Sequence, residues 1–357
     1  MRERAILVGT ILGRGSPQEE EESLQELARL ADTAGAAVID TEVQRRPKPD
    51  AATFIGKGKA AEIGLAAARS GAGLVIFDHD LSPSQAFKLG EIIGCRVIDR
   101  AELIMDIFAL RARTAEAKIQ VELAQLLYRF SRLTGAGIEM SDPGGGIGTR
   151  GPGEKQLELD RRKIRDRIAR LKRDLKGVEQ QRRTQRKSRS GMFQVALVGY
   201  TNAGKSTLMN LLAKAKVKVE DRLFATLDAT TRQVVLAGGE RFLLTDTVGF
   251  IRRLPHQLVA SFRATLEEVV EADLVLHVVD TPHAARRQEI EAVRAVLQEI
   301  AAAGPELMVF NKIDRMDDHT LGELRWGNQD AAFVSALTGG GRRELEQMIV
   351  RAMRDRR

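Results

Sequence analysis

The sequence predicts an α/β protein in three parts: an N-terminal α/β domain, an antiparallel helical hairpin, and a C-terminal α/β domain with a mostly parallel sheet. Strand-length apolar runs alternate with helical patterns in both halves of the chain, whereas two heptad stripes fill the region between them. The length of 357 residues also exceeds that of one typical domain. We place the three parts at residues 1–112, 113–190 and 191–357.

The N-terminal part has the alternation of strands and helices that is typical of an α/β domain. Helices are predicted over Ser23–Ala34 and Pro83–Ile93, the second because Ser82 is a good N-cap and proline favours the first helical position. Gly56–Lys59 is predicted as a turn, since it completes no phosphate-binding fingerprint. The strand-like runs are Ile6–Val8, Ala37–Ile39, Leu74–Phe77 and Val97–Ile98.

The middle part carries two apolar stripes with heptad spacing, separated by a glycine-rich segment over residues 141–156. The simplest packing is an antiparallel helical hairpin with both stripes facing inward and the charged residues outside. The alternative is that one stripe docks on a neighbouring domain. The first stripe is Ile119, Leu123, Leu126, Phe130 and Leu133, and the second is Ile164, Ile168, Leu171, Leu175 and Val178.

The positive charge of the chain is local. The region from Arg161 to Ser190 contains fourteen Lys or Arg against three acidic residues, a net +11. Because the whole chain carries +7, the remainder carries −4. Such a stretch can supply the sequence-independent attraction to phosphates that dominates nucleic-acid affinity, although a solvated helix face would have the same composition.

Composition and termini exclude several classes of protein. No apolar run is long enough to span a bilayer, so we expect no integral membrane association. The charged residues after Met1 lead directly into a strand, which is not typical of a signal peptide. The single cysteine, Cys95, cannot form an internal disulfide and is interpreted as a small core residue. We therefore expect a cytoplasmic protein.

The C-terminal part begins with a strand that runs directly into a phosphate-binding motif. Near-continuous apolar runs, which suit a parallel sheet covered on both faces, occur at Val195–Val198, Phe242–Leu244, Leu274–Leu276 and Leu307–Phe310. The segment Gly199–Ser206 matches GxxxxGKS in the required context of a strand followed by a helix. In such a P-loop, backbone N–H groups surround the α- and β-phosphates, Lys205 reaches the β- and γ-phosphates, and Ser206 binds Mg²⁺. The predicted nucleotide-binding residues of the loop are Gly199, Tyr200, Thr201, Asn202, Ala203, Gly204, Lys205, Ser206 and Thr207.

Three further motifs follow strands, as a nucleotide site in a parallel sheet requires. Asp246 is expected to act on Mg²⁺ through water, and the Gly249 N–H to bond the γ-phosphate. The Asp314 carboxylate can accept from N1–H and the exocyclic amine of guanine, a donor pair that adenine lacks. The segment from Ser335 can offer N–H groups to guanine O6. The residues of these motifs are Asp246, Thr247, Val248, Gly249, Asn311, Lys312, Ile313, Asp314, Ser335, Ala336 and Leu337.

The order of these motifs resembles a translation-factor-type GTPase with a Ras-like P-loop domain, and two further segments resemble the HflX family. The first is the glycine-rich segment Gly144–Glu158, GGGIGTRGPGEKQLE. The second resembles the family's first switch, in which the threonine completes the magnesium shell when the γ-phosphate is present, a role that falls on Thr226. This switch adds Phe224, Ala225, Thr226, Leu227 and Asp228 to the predicted nucleotide site. Catalysis is assigned to Lys205, Thr226 and Gly249, and the metal to Ser206 and Thr226.

The resemblance implies a cytoplasmic GTPase that uses Mg²⁺ and binds the ribosome, chiefly the large subunit and its RNA, and that in several family members separates stalled or idle ribosomes. We also expect a monomer. No DNA partner is expected. For the N-terminal half two interpretations remain open: the glycine-rich loop and the basic helix dock on ribosomal RNA, or this half is a protein-binding module that regulates the GTPase. Unassisted hydrolysis should be slow, because Phe250 occupies the position where Ras-like enzymes carry the glutamine that orients water.

Overall fold

The computed structural model describes residues 2–139, 152–187, 191–213, 223–224, 227, 229–252 and 263–356. The chain separates into two compact units. The first comprises Met1–Leu110 and Lys118–Lys176, and the second comprises Arg111–Ala117 and Gly177–Arg357. Most of the hairpin thus belongs to the same unit as the N-terminal sheet, and the predicted boundaries at residues 112 and 190 stay predictions.

The first unit is built on a four-stranded sheet with the order β2-β1-β3-β4, in which all strands are parallel. Because side chains alternate along a strand, Ile6 and Val8 of β1 share one face and pack under the second and third helices. The strands are β1 (Arg4–Leu12), β2 (Ala37–Arg46), β3 (Leu74–Phe77) and β4 (Arg96–Asp99).

The helices around this sheet are α1 (Pro17–Ala34), α2 (Lys57–Ser70), α3 (Pro83–Ile93) and α4 (Arg100–Arg111). Helix α3 confirms the prediction, and Ser82 and Gln85 form a reciprocal capping box at its start. Helix α1 begins at Pro17, before the predicted start at Ser23. The predicted turn at Gly56–Lys59 is wrong, because Gly56 is the N-cap of α2 and the helix continues through an alanine-rich segment.

The two helices of the hairpin are α5 (Ala115–Glu139) and α6 (Pro152–Lys187). Four residues of each predicted stripe share one core, in which Leu123 packs among Ile168, Leu171 and Leu175. An ion pair of 2.7 Å between Arg167 and Glu122 also joins the helices. The hairpin prediction is therefore confirmed, whereas most of the glycine-rich segment 141–156 lies outside the described residues.

Helix α5 is anchored on the carboxyl end of β4. The Asp99 carboxylate accepts hydrogen bonds from the Tyr128 hydroxyl (2.6 Å) and the Arg132 guanidinium (2.8 Å). The pKa of Tyr128 is raised by burial and by the adjacent Asp99 charge, so the phenol stays a donor. The second half of α5 is thus held against the N-terminal sheet by a mostly buried polar cluster.

The second unit contains a six-stranded sheet with the order β10-β9-β8-β5-β7-β6, in which only β6 is antiparallel to its neighbour among the described strands. This confirms the predicted mostly parallel sheet. The strands are β5 (Phe193–Gly199), β6 (Thr230–Val235), β7 (Arg241–Asp246), β8 (Leu274–Asp280), β9 (Glu306–Asn311) and β10 (Ala332–Phe333).

Helices cover both faces of this sheet. Helices α7 (Lys205–Ala213) and α11 (Arg342–Asp355) share one core with the sheet, and α8 (Arg263–Val270) and α9 (Arg286–Glu299) share another on the opposite side. A short 3₁₀ turn, Ile313–Arg315, and helix α10 (Asp318–Trp326) follow β9. A search of the described helices finds none with the length and apolar character that a bilayer crossing requires.

Candidate nucleotide site

The predicted phosphate-binding loop connects the carboxyl end of β5 to the first turn of α7. Two of its glycines are required by geometry. Gly199 has φ of +148°, and a Cβ there would collide with the Val278 carbonyl oxygen. Gly204 has φ of +94°, and its Cβ would collide with the Asn311 amide. The loop therefore keeps its backbone close to neighbouring strands and leads into the N-terminus of α7, and helix N-termini are suited to bind anions.

Lys205 lies inside this loop and is only 6% exposed. Its ammonium donates to the carbonyl oxygens of Gly199 and Tyr200, each at 2.9 Å. Burial lowers the pKa of Lys205 to about 8, and the negative charges of Asp246 and Glu289 oppose this effect. Phosphate oxygens placed in the loop would restore the favourable charge environment, which is the expected function of a P-loop lysine.

Ser206 and Asp246 meet across the site, although they are separated in sequence and lie on α7 and at the end of β7. The Ser206 hydroxyl donates to an Asp246 carboxylate oxygen at 2.6 Å. A hydroxyl and a carboxylate oxygen this close are suitable for Mg²⁺, which prefers oxygen ligands and retains several waters. Thr247 donates to the Leu197 carbonyl at 2.7 Å and so fixes the segment that follows β7.

The segment after Asp246 is tied directly to the phosphate-binding loop. The Phe250 N–H donates to the Gly199 carbonyl at 3.1 Å, and the Thr201 N–H donates to the Phe250 carbonyl at 2.7 Å. Gly249 immediately precedes Phe250, and a Cβ there would come within 2.9 Å of the Thr201 Cα and 3.0 Å of the Lys205 Nζ. The structure thus brings Gly249 to the residues that are predicted to hold the γ-phosphate.

Phe250 contributes no polar group to the site. Its side chain is 2% exposed and packs in the core beneath α8 and α9, with Val198 and Leu266. The position that carries a water-orienting glutamine in Ras-like enzymes is therefore a core residue in this chain.

The predicted guanine-binding segment is organised by Asn311. Its side-chain amide donates to the Ala203 carbonyl at 2.8 Å, and its side-chain oxygen accepts from the Ala336 N–H at 2.9 Å. Asn311 therefore joins three predicted motifs. Lys312 has φ of +65° and pairs with Asp280 at 2.6 Å. Asp314, in the 3₁₀ turn, keeps an exposed carboxylate.

The segment from Ser335 makes more hydrogen bonds within the protein than the sequence indicated. The Ser335 hydroxyl accepts from the Thr338 N–H at 3.1 Å, which shapes the loop. Because the Ala336 N–H already donates to Asn311, guanine O6 would have to share this donor or use a neighbouring one. The Leu337 side chain is 77% exposed. Contact of Ser335–Leu337 with guanine stays a prediction.

The first-switch prediction is only partly within the described chain. Ala225, Thr226 and Asp228 lie outside the described residues, so the role of Thr226 in catalysis and metal binding stays a prediction. The Phe224 and Leu227 side chains are buried. Phe224 also has φ of +55°, an uncommon conformation for an aromatic residue.

Sequence reasoning missed several polar residues around the site. Asp280 is the last residue of β8 and pairs with Lys312. Thr281 follows it, and its hydroxyl donates to the Asn311 carbonyl at 2.5 Å. Their place at the carboxyl end of a parallel strand was the available signal. Glu289 is a buried carboxylate on α9, and its helical position gave no such signal.

Comparisons with known proteins cover most of the chain. A family model described as "GTP-binding GTPase N-terminal" matches residues 21–109, one described as "GTP-binding GTPase Middle Region" matches 111–189, and one described as "50S ribosome-binding GTPase" matches 194–312.

Similar whole proteins include two named "GTPase HflX". The protein of Flavobacterium psychrophilum is 46% identical over 99% of this chain and 91% of its own length. That of Escherichia coli is 46% identical over 97% of this chain and 82% of its own length. Among solved structures, the complex of SsGBP with GDP has a TM-score of 0.53 at 24% identity and covers 98% of both chains. That likeness supports the overall fold.

Proposed function

Because the chain belongs to the HflX family of GTPases, and binds and hydrolyses GTP, we propose that it couples hydrolysis to binding of the large ribosomal subunit. In this proposal the GTP-bound protein docks on the subunit through RNA contacts and separates stalled or idle ribosomes. The observation that carries it is the match of residues 194–312 to a family of 50S ribosome-binding GTPases.

The surface of α6 supports an RNA partner. Along this helix the apolar residues Ile168, Leu171 and Leu175 are buried against α5. The cationic side chains between them face solvent, where they can attract phosphates, although Arg167 also pairs with Glu122 and Lys163 with Asp160. Exposed members are Arg162, Lys163, Arg165, Arg167, Arg170, Lys172, Arg173 and Lys176. Aromatic residues make up only 4% of the chain, so backbone contacts are favoured over base stacking.

We assign the contacts of the bound nucleotide as follows. Residues 199–207 surround the phosphates, with Lys205 on the β- and γ-oxygens. Mg²⁺ is bound directly by Ser206 and Thr226 and through water by Asp246, and it neutralises charge that develops during transfer. Gly249 bonds the γ-phosphate, Asn311–Asp314 recognise guanine, and Ser335–Leu337 cover its O6 edge.

The proposed three-part division assigns a role to each part. The part over residues 1–112 holds the second half of α5 through Asp99, the hairpin over 113–190 carries the basic face, and the domain over 191–357 binds GTP. The glycine-rich segment 141–156 connects the two hairpin helices, where glycines would permit close approach to RNA.

Sedimentation tests the proposal. With a non-hydrolysable GTP analogue, the protein should move with the large subunit and convert intact ribosomes to subunits. With GDP it should stay largely at the top of the gradient, because the γ-phosphate that orders the switches is missing. If the protein sediments with neither subunit, whichever nucleotide is present, ribosome binding is contradicted and a regulatory N-terminal half is favoured.

A further inference from the structure

The Tyr200 side chain is directed to the segment after Gly249. Its hydroxyl accepts a hydrogen bond of 2.6 Å from the backbone N–H of Arg252. The Tyr200 residue is 7% exposed, and the hydrogen bond to Arg252 is partly buried. Tyr200 therefore has two separate connections: its backbone belongs to the phosphate-binding loop, and its side chain holds a residue three positions after Gly249.

This bond extends an existing series of contacts. Tyr200 and Phe250 form a parallel β-bridge, made by the Phe250 N–H to the Gly199 carbonyl and the Thr201 N–H to the Phe250 carbonyl. The Tyr200 hydroxyl adds a third attachment at Arg252. Segment 249–252 is thus attached to the phosphate-binding loop at Phe250 and again at Arg252.

We propose that the Tyr200 side chain is a positioning residue for GTP hydrolysis, because its hydroxyl fixes the backbone of segment 249–252 against the phosphate-binding loop. The proposal rests on the role assigned above to Gly249, whose N–H must meet the γ-phosphate. Hydrolysis depends on such donors being held in place before the reaction. The proposal itself does not depend on ribosome binding.

Close packing around Gly249 makes the position of segment 249–252 sensitive to the Tyr200 hydrogen bond. Gly249 has no space for a side chain between Thr201 and Lys205, so a small displacement of the segment changes its distance from the lysine that contacts the same phosphate. The hydroxyl of Tyr200 restricts that displacement at one end, and the bridge at Phe250 restricts it in the middle. GDP has no γ-phosphate, so its affinity depends much less on this segment.

The chain offers a matched control, because its only two tyrosines, Tyr128 and Tyr200, each use a buried hydroxyl in a 2.6 Å hydrogen bond. Tyr200→Phe should lower kcat about five- to tenfold, the loss expected for one shielded hydrogen bond, with KM for GTP and affinity for GDP within about twofold of wild type. Tyr128→Phe also removes a 2.6 Å hydrogen bond, the one that the phenol donates to Asp99, at a position far from the motif in sequence, and it should leave kcat unchanged.

An unchanged kcat in Tyr200→Phe would overturn the proposal. An equal fall in kcat for both variants would also overturn it. So would a fall in the kcat of Tyr200→Phe accompanied by an equal loss of GDP affinity, because either result would indicate a general loss of structural order.

A measurement on the unmutated side chains keeps the test independent of folding defects. Incorporation of 3-fluorotyrosine gives two ¹⁹F resonances, which the Tyr128→Phe variant assigns. The Tyr200 resonance should differ between the GDP complex and the complex with a non-hydrolysable GTP analogue, and the Tyr128 resonance should not. Identical Tyr200 resonances in the two complexes would contradict the proposed link to the γ-phosphate.

Discussion

Asp314→Asn should reduce GTP affinity about a hundredfold or more and make the protein prefer xanthosine triphosphate. The carboxylate is the acceptor for two guanine donors, and hydrogen bonds to a charged group are worth about 1.5–3 kcal/mol each. Asparagine instead offers an amide donor, which suits the carbonyl at the corresponding position of xanthine. Because Asp314 is exposed, the substitution should cost little stability.

Equilibrium binding of fluorescent GTP and xanthosine triphosphate analogues measures this switch. Asp318→Asn is the matched control, since Asp318 is also exposed and lies one turn further along, at the start of α10. It should bind GTP normally and reject the xanthine nucleotide. Wild-type GTP affinity in Asp314→Asn, without affinity for the xanthine nucleotide, would show that this motif does not recognise the base.

Removal of four charges from α6 should weaken binding to the large subunit steeply at physiological salt and flatten its salt dependence. The slope of log affinity against log salt should decrease by about 0.7–0.9 for each phosphate that is no longer neutralised. Arg165 is left in place because its guanidinium lies 5.5 Å from the centre of the Phe130 ring and contributes to packing. Glutamine preserves helix propensity. The four changed residues are Arg162, Lys163, Arg170 and Lys172.

The control removes the same charge from the GTPase part. Four exposed arginines are changed to glutamine there: Arg232, Arg241, Arg343 and Arg351. Both variants should bind GTP as the wild type does, and only the α6 variant should show reduced subunit affinity, as measured by filter binding over a salt series. Equal reductions would indicate a nonspecific effect of net charge, and no reduction in either would make the basic helix a solvated face.

The nucleotide motifs could be predicted because each is short and follows a strand. Gly199–Ser206 needs only a strand before it and a helix after it, and parallel pairing of β5, β7, β8 and β9 brings the carboxyl ends together. The heptad stripes of the hairpin were equally local. The pairing of the two stripes could be inferred because they have similar lengths and the same heptad spacing.

The missed features depend on tertiary contacts or on weak local signals. Helix α2 begins with glycines and lysines that look like a turn, yet Gly56 occupies the N-cap, where glycine is tolerated, and alanines continue the helix. The pairing of Lys312 with Asp280 joins adjacent strands distant in sequence. The hydrogen bond from Arg252 to Tyr200 depends on the direction of one side chain, which the P-loop pattern leaves undefined.

Because Phe250 is buried in the core and cannot orient water, the proposed function requires the ribosome to complete the hydrolytic site. Steady-state phosphate release, measured with and without purified large subunits, tests this most directly. The protein alone should hydrolyse GTP slowly, and saturating large subunits should raise kcat by on the order of a hundredfold or more. Fast hydrolysis by the protein alone, unchanged when large subunits are added, would contradict the account.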